Sequence, residues 1–147
     1  MKLEEKIGGT LLDSLHVGVV VLDARDNIVI FNRMAGELLQ LDPESRIGTS
    51  VLLCHSEKAE AGVLKMLGQM RSGELREYEG WVDFAGRIVY EYLYPLWDEN
   101  GGYAGAVAEI HDGTERAEYL KSRGEWKDLD SVGIGERAPR SPHPEVK

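Results

Sequence analysis

Residues 87–112 read RIVYEYLYPLWDENGGYAGAVAEIHD, and this stretch constrains the fold more than any other. RIVYEYLYPL (87–96) alternates with period two, placing Ile88, Tyr90, Tyr92 and Tyr94 on one face and Val89, Glu91 and Leu93 on the other. DENGG (98–102) is strong turn chemistry. YAGAVAEIHD (103–112) then returns as a second strand, and its small residues allow a helix or a ligand to come close. Upstream, EYEGWVDF (77–84) leads through Ala85-Gly86 into the first of these strands. Three antiparallel strands in a row need a second layer to cover their apolar face.

The rest of the chain supplies that layer and two more strands. VGVVVLD (17–23) is β-branched and apolar, ARDN (24–27) turns, and IVIF (28–31) completes a hairpin. Asn32 is placed to cap a short helix carrying Met34, Ala35, Leu38 and Leu39. Asp42-Pro43-Glu44 starts another, with a cap residue, proline at the first helical position and an acid for the dipole. The longest helix spans about 57–71, with Ala59, Val63, Met66, Leu67 and Met70 as its apolar stripe and Gly73 as its stop. Residues 2–15 have helical spacing of Leu3, Ile7, Leu11, Leu12 and Leu15, weakened at Gly8-Gly9. The predicted order is β-β-α-α-α-β-β-β, an α+β arrangement with a five-stranded antiparallel sheet and the helices on one face. It divides into an N-terminal helix (1–15, a candidate dimerisation element), a domain (16–117), and a short helix with a disordered tail (118–147). That tail, from about Ser131, holds three of the five prolines and little to bury.

Composition narrows the function. Net charge is −9, which repels phosphate backbones and anionic lipid and argues against nucleic-acid or membrane-surface binding. A single cysteine, Cys54, excludes an internal disulfide and a multi-thiolate zinc site. No signal peptide and no apolar run of membrane-spanning length is present, so a reducing, cytoplasmic setting is expected. The sequence has no Gly-x-Ser-x-Gly elbow, no His-Glu-x-x-His and no phosphate-cradling glycine loop, so no enzymatic activity is expected. GIGERA (133–138) lacks the preceding strand that a dinucleotide fingerprint requires.

GVVVLDARDNIVIFN, NRMAGELLQLDPESRIGTSV and DENGGYAGAVAEIHDGTER, in this order, resemble a PAS domain over about residues 10–117. PAS domains leave their last strand through an Asp-Ile-Thr-Glu-Arg-like sequence, and here Asp112-Gly113-Thr114-Glu115-Arg116 stands in that place. The resemblance implies a sensor or interaction module whose sheet and long helix enclose a pocket. The occupant is heme, flavin, a small metabolite or nothing, and the signal leaves through the last strand and the following helix, often across a homodimer. No kinase, cyclase or DNA-binding segment follows residue 117, so the expectation is a complete short protein or one excised domain.

Cys54-His55 at the head of the long helix is the candidate site. Extended one turn back, the apolar stripe of that helix includes His55, an imidazole that can serve as axial ligand to heme iron. On that reading Cys54, Val63, Met66 and Met70 line the cofactor, Met66 or Met70 offers a sixth ligand, and Trp81 with the tyrosines around Tyr92 walls a flat ring. By the same resemblance, heme-bearing PAS domains place the proximal histidine further along the helix, near Val63. The competing reading makes Cys54 a small buried hydrophobe and His55 a partner of a nearby carbonyl, in a module that dimerises around an empty or metabolite-filled core. Ser56 is the expected cap of the long helix. Glu91, the one acid on its face of the strand, is expected to meet solvent or a second copy.

Overall fold

The computed structural model describes residues 2–84 and 86–126. Helix α1 (Leu3–Ser14) precedes strands β1 (Gly18–Asp23) and β2 (Ile28–Phe31). Helices α2 (Arg33–Leu39), α3 (Pro43–Arg46) and α4 (Glu60–Ser72) follow, then strands β3 (Tyr78–Phe84), β4 (Arg87–Trp97) and β5 (Tyr103–Asp112), and helix α5 (Thr114–Ser122). All five strands form one antiparallel sheet in the order β2-β1-β5-β4-β3. The hairpins at the two ends of the sequence thus meet along β1 and β5, where Val20 faces Ala108 and Leu22 faces Ala106. The expected tail from about residue 131 lies outside the described residues.

Local chemistry explains the boundaries. Asn32 caps α2 by accepting from the Ala35 amide, and Asp42 caps α3 by accepting from the Glu44 amide. Gly73 ends α4 at φ 83°, the left-handed conformation in which glycine carries no Cβ penalty. The segment before α4 is less regular than the sequence suggests. Val51–Cys54 and Glu57–Ala59 are single 3-10 turns, and α-helical geometry begins only at Glu60. Ser56, the expected cap, does not act as one, since its buried hydroxyl has no hydrogen-bond partner.

The core lies between the inner sheet face and the helices. Val63, Met66, Leu67 and Met70 of α4 are buried against Val20, Leu22, Val89, Ala106 and Ile110 of the sheet. Burying each of the larger of these side chains contributes about 1.5–3 kcal/mol. Asn32, only 2% exposed, ties three elements together. Its Oδ1 accepts from Val19 N (2.8 Å) and Ala35 N (3.0 Å), and its Nδ2 donates to Leu12 O (2.7 Å) and Val17 O (3.0 Å). Helix α1 is held by these bonds and by Asp13, which accepts from the Arg33 amide (3.0 Å), while Ile7 and Leu11 remain half exposed.

Candidate functional site

Between the inner sheet face and α4 lies a cavity of about 90 Å³. Its sheet wall is made by Val20 and Leu22 of β1, Val82 and Phe84 of β3, Val89, Glu91 and Leu93 of β4, and the Ala106, Ala108 and Ile110 row of β5. Its helical wall is made by Val51, Cys54 and His55 of the 3-10 segment, then Ala59, Val63, Met66 and Leu67. Apart from Cys54, His55 and Glu91, every lining side chain is apolar.

The 3-10 turn sets Cys54 and His55. Ser50 caps it by accepting from Leu52 N (3.2 Å), and the His55 amide closes it on Leu52 O (3.2 Å). The His55 ring then places Nδ1 3.1 Å from Val51 O. A carbonyl only accepts, so Nδ1 carries the proton and, in the neutral ring, Nε2 is the acceptor. His55 itself is extended (φ −131°, ψ 159°), so it does not continue the α4 stripe, and it reaches the cavity from the preceding turn. Arg46, 3% exposed, donates from Nη1 to Leu53 O (3.0 Å) and stands beside the Cys54 sulfur. Burial pushes the Cys54 thiol up, outweighing the downward pull of that guanidinium. Cys54 is therefore a neutral thiol in the cavity wall, unlike an activated nucleophile.

Four sequence expectations need correction. Trp81 and Tyr92 do not wall the cavity. In the β3–β4 register Trp81 lies opposite Tyr90 and Val82 opposite Val89, so the tryptophan and the tyrosine row share the outer face while Val82 and Val89 face inward. There Trp81 packs at a tilt against Tyr90 (centroids 4.9 Å apart), Tyr90 likewise against His111 (5.8 Å), and Trp126 meets Trp81 edge-on (5.4 Å). Tyr94 donates to Glu109 (2.9 Å), and Tyr92 donates to Glu77, which pushes the Tyr92 phenol up to about 12. Met70 is fully buried in the core without lining the cavity. Glu91, expected to meet solvent or a second copy, is half-buried and stands in the cavity wall.

These placements also decide the fit to heme. The cavity is well below the roughly 300–1,000 Å³ of pockets that hold drug-sized ligands, and a porphyrin belongs at the upper end of that class. The aromatic side chains expected to sandwich the ring lie on the other side of the sheet, and Met70 is not at the cavity. The residues present do not fit heme. Among the described residues no group of three or more His, Cys, Asp or Glu side chains could hold a metal ion, and no helix is long and apolar enough to cross a membrane.

The cavity is wired to the end of the sheet. Val89 lies opposite Asp112, and its neighbour Ile88 accepts from the Gly113 amide (2.7 Å) and donates its own amide to Thr114 Oγ1 (3.1 Å). Thr114 in turn donates from Oγ1 (2.6 Å) and N (3.0 Å) to Asp112 Oδ1, holding that carboxyl below its ordinary range and fixing the start of α5. Gly113 is needed here for space: a Cβ would lie 2.3 Å from Cζ3 of Trp81.

Known structures share this architecture. The chain superposes on a C-terminal domain from Streptococcus mutans with a TM-score of 0.65 at 20% identity, covering 78% of this chain and 89% of that one. It matches the PAS domain of a protein from Colwellia psychrerythraea with a TM-score of 0.61 at 18% identity, covering 78% and 100%. It also matches the histidine kinase ThkA, in complex with the response regulator TrrA, with a TM-score of 0.62 at 18% identity over 78% of this chain and 34% of the kinase. No curated protein matches the sequence. The family model described as PAS domain matches residues 9–114, so the chain belongs to the PAS domain family.

Proposed function

We propose that this PAS domain is a sensory module that binds a small, mostly apolar molecule in the cavity between its sheet and α4 and passes the change on to α5. The carrying observation is the cavity itself, apolar except for Cys54, His55 and Glu91. A ligand there presses on Val89 and Ile110, one and three residues from the hydrogen bonds that fix Gly113 and Thr114. Occupancy thereby biases how α5 leaves the sheet, which is how a binding event becomes a population shift at a distance. The neighbour ThkA is a histidine kinase in complex with a response regulator, and a signalling partner of this kind fits the present chain. A reducing cytoplasm suits the neutral Cys54 thiol.

A thermal-shift screen of small fragments and metabolites tests the reading. Ligands should raise the Tm of the full chain and leave Ala108→Met, which fills the cavity from β5, unmoved. No stabilising ligand, or equal stabilisation of both proteins, would overturn it.

The half-exposed Ile7 and Leu11, one helical turn apart on α1, favour a second role in homodimer formation. Ile7→Lys with Leu11→Lys tests it better than deleting α1, because α1 supplies the Leu12 carbonyl that Asn32 uses. Sedimentation should show a dimer that the double variant loses, and a monomer in both cases would contradict the role.

A further inference from the structure

We propose that the outer face of the sheet is the docking surface for this chain's own arginine- and proline-rich segment RAPRSPHP (137–144), which lies outside the described residues. The inference is independent of the cavity, which lies on the other side of the sheet.

Three observations carry it. First, the outer face presents an aromatic ladder. Tyr90, Tyr92 and Tyr94 occupy successive outward positions of β4, all half-buried, and the Tyr92 and Tyr94 rings lie 5.5 Å apart. Second, the ladder is edged with negative charge. Glu79 stands beside the Tyr90 phenol, Glu77 accepts from Tyr92, and Glu109 accepts from Tyr94 (2.9 Å). A phenol donates a hydrogen bond without cancelling the charge of the carboxylate it meets. His111 lies 3.4 Å from Glu109, and the outward positions of β3, β4 and β5 hold no lysine or arginine. Third, the chain is delivered to this face. Trp126 sits edge-on against Trp81 at the end of the ladder, and Lys121 Nζ lies 5.2 Å over the Trp126 ring.

The segment that follows has the complementary chemistry. RAPRSPHP carries Arg137 and Arg140, three prolines and no acid. Proline-rich chain favours an extended helix with little entropy left to lose, and it docks on rows of aromatic rings. A guanidinium both stacks on a tyrosine face and pairs with a carboxylate. Reach is ample. Twelve residues separate Trp126 from Pro139, so the chain spans up to about 45 Å, whereas Tyr90 to Tyr94 covers about 13 Å of strand. A tether of this length holds the segment near the face at an effective concentration of about millimolar. Charge also decides against a second copy as the occupant, since two such acidic faces on chains of net charge −9 repel each other.

The test is a search for nuclear Overhauser contacts, in the full chain, between the ring protons of Tyr90, Tyr92 and Tyr94 and the δ protons of Pro139 and Pro142. A sample mixing isotope-labelled and unlabelled copies separates contacts within a chain from contacts between chains. Contacts within one chain should appear at low salt, weaken in 1 M salt, where the screening length is about 3 Å, and vanish in Arg137→Glu with Arg140→Glu. A free peptide of residues 137–144, added at several millimolar to that double variant, should shift the tyrosine ring signals again. No contact in the unmodified chain, contacts only between copies, contacts that the double variant keeps, or a peptide without effect would each overturn the proposal. The unmodified chain decides the matter even if the double variant fails to fold.

Discussion

Replacing Asn32 by alanine should cost this domain more than any other single polar substitution among the described residues. The side chain is 2% exposed and makes four hydrogen bonds to backbone groups of α1, β1, α2 and the α1–β1 connection. Alanine leaves Val19 N, Ala35 N, Leu12 O and Val17 O to find other partners. Each such bond is worth about 1 kcal/mol net, and more where the abandoned group stays out of water. Losing the cap on Ala35 alone is worth about 0.5–2 kcal/mol. The total is about 4 kcal/mol, a large part of the roughly 5–15 kcal/mol that stabilises a domain of this kind. In thermal terms it is a drop of about 15 °C. Urea unfolding followed by tryptophan fluorescence measures it, with an unchanged m-value showing that the loss is in stability alone. Asn32→Asp keeps both acceptor bonds but sets a carboxylate oxygen against the Leu12 and Val17 carbonyls at a buried site, so at neutral pH it should cost at least as much as alanine. A loss below about 1 kcal/mol for Asn32→Ala would refute the reasoning, because the network would then contribute no more than an ordinary surface contact.

Three further outcomes follow from the site and its surroundings. Alkylation of Cys54 by iodoacetamide at pH 8 should be slower than that of a free cysteine in a peptide and should accelerate as pH rises, because burial holds the thiol above its ordinary value; fast reaction at pH 8 would contradict this. Asp112 is held below its ordinary value of 3.8, first by the Thr114 hydroxyl. A lowered carboxyl stabilises the fold above that value and loses the contribution as pH falls through the folded pKa. The stability gap between wild type and Thr114→Val should therefore be constant above pH 3.8 and narrow below it, and a gap independent of pH would disprove the linkage. Adding hemin should produce no protein-dependent Soret band, and a band abolished by His55→Ala would reverse our reading of the cavity.

Much of this architecture can be read from the sequence, for identifiable reasons. The strands alternate cleanly, Asn32 and Asp42 stand where caps are needed, and DENGG fixes the β4–β5 register, so the order of elements and the single sheet follow from local rules. The inner face of β4 does not. Ile88, Tyr90, Tyr92 and Tyr94 form the larger apolar set, while the opposite set contains an acid, so ordinary burial preferences turn the strand the wrong way round. The signal that could have corrected it lies in β5. Its set of Ala106, Ala108 and Ile110 is wholly uncharged, its other set contains Glu109 and His111, and the register pairs Leu93 with Ala108. The buried Arg46 and the long-range half of the Asn32 network leave no local trace, because their partners are carbonyls and amides up to twenty residues away. His55 reaches the cavity for a reason the helical pattern misses: a 3-10 turn, and not an extension of α4, aims its ring.

The most direct test of the account is a methyl-resolved NMR titration of the full chain with isoamyl alcohol, a small probe whose hydrocarbon matches the apolar lining of the cavity. Shifts should concentrate on Val63, Met66, Leu93 and Ile110 and spread along β5 toward Thr114, while Val19 and Val21 on the outer face stay still. Shifts confined to the outer face, or none up to saturation of the probe, would contradict a ligand-binding interior.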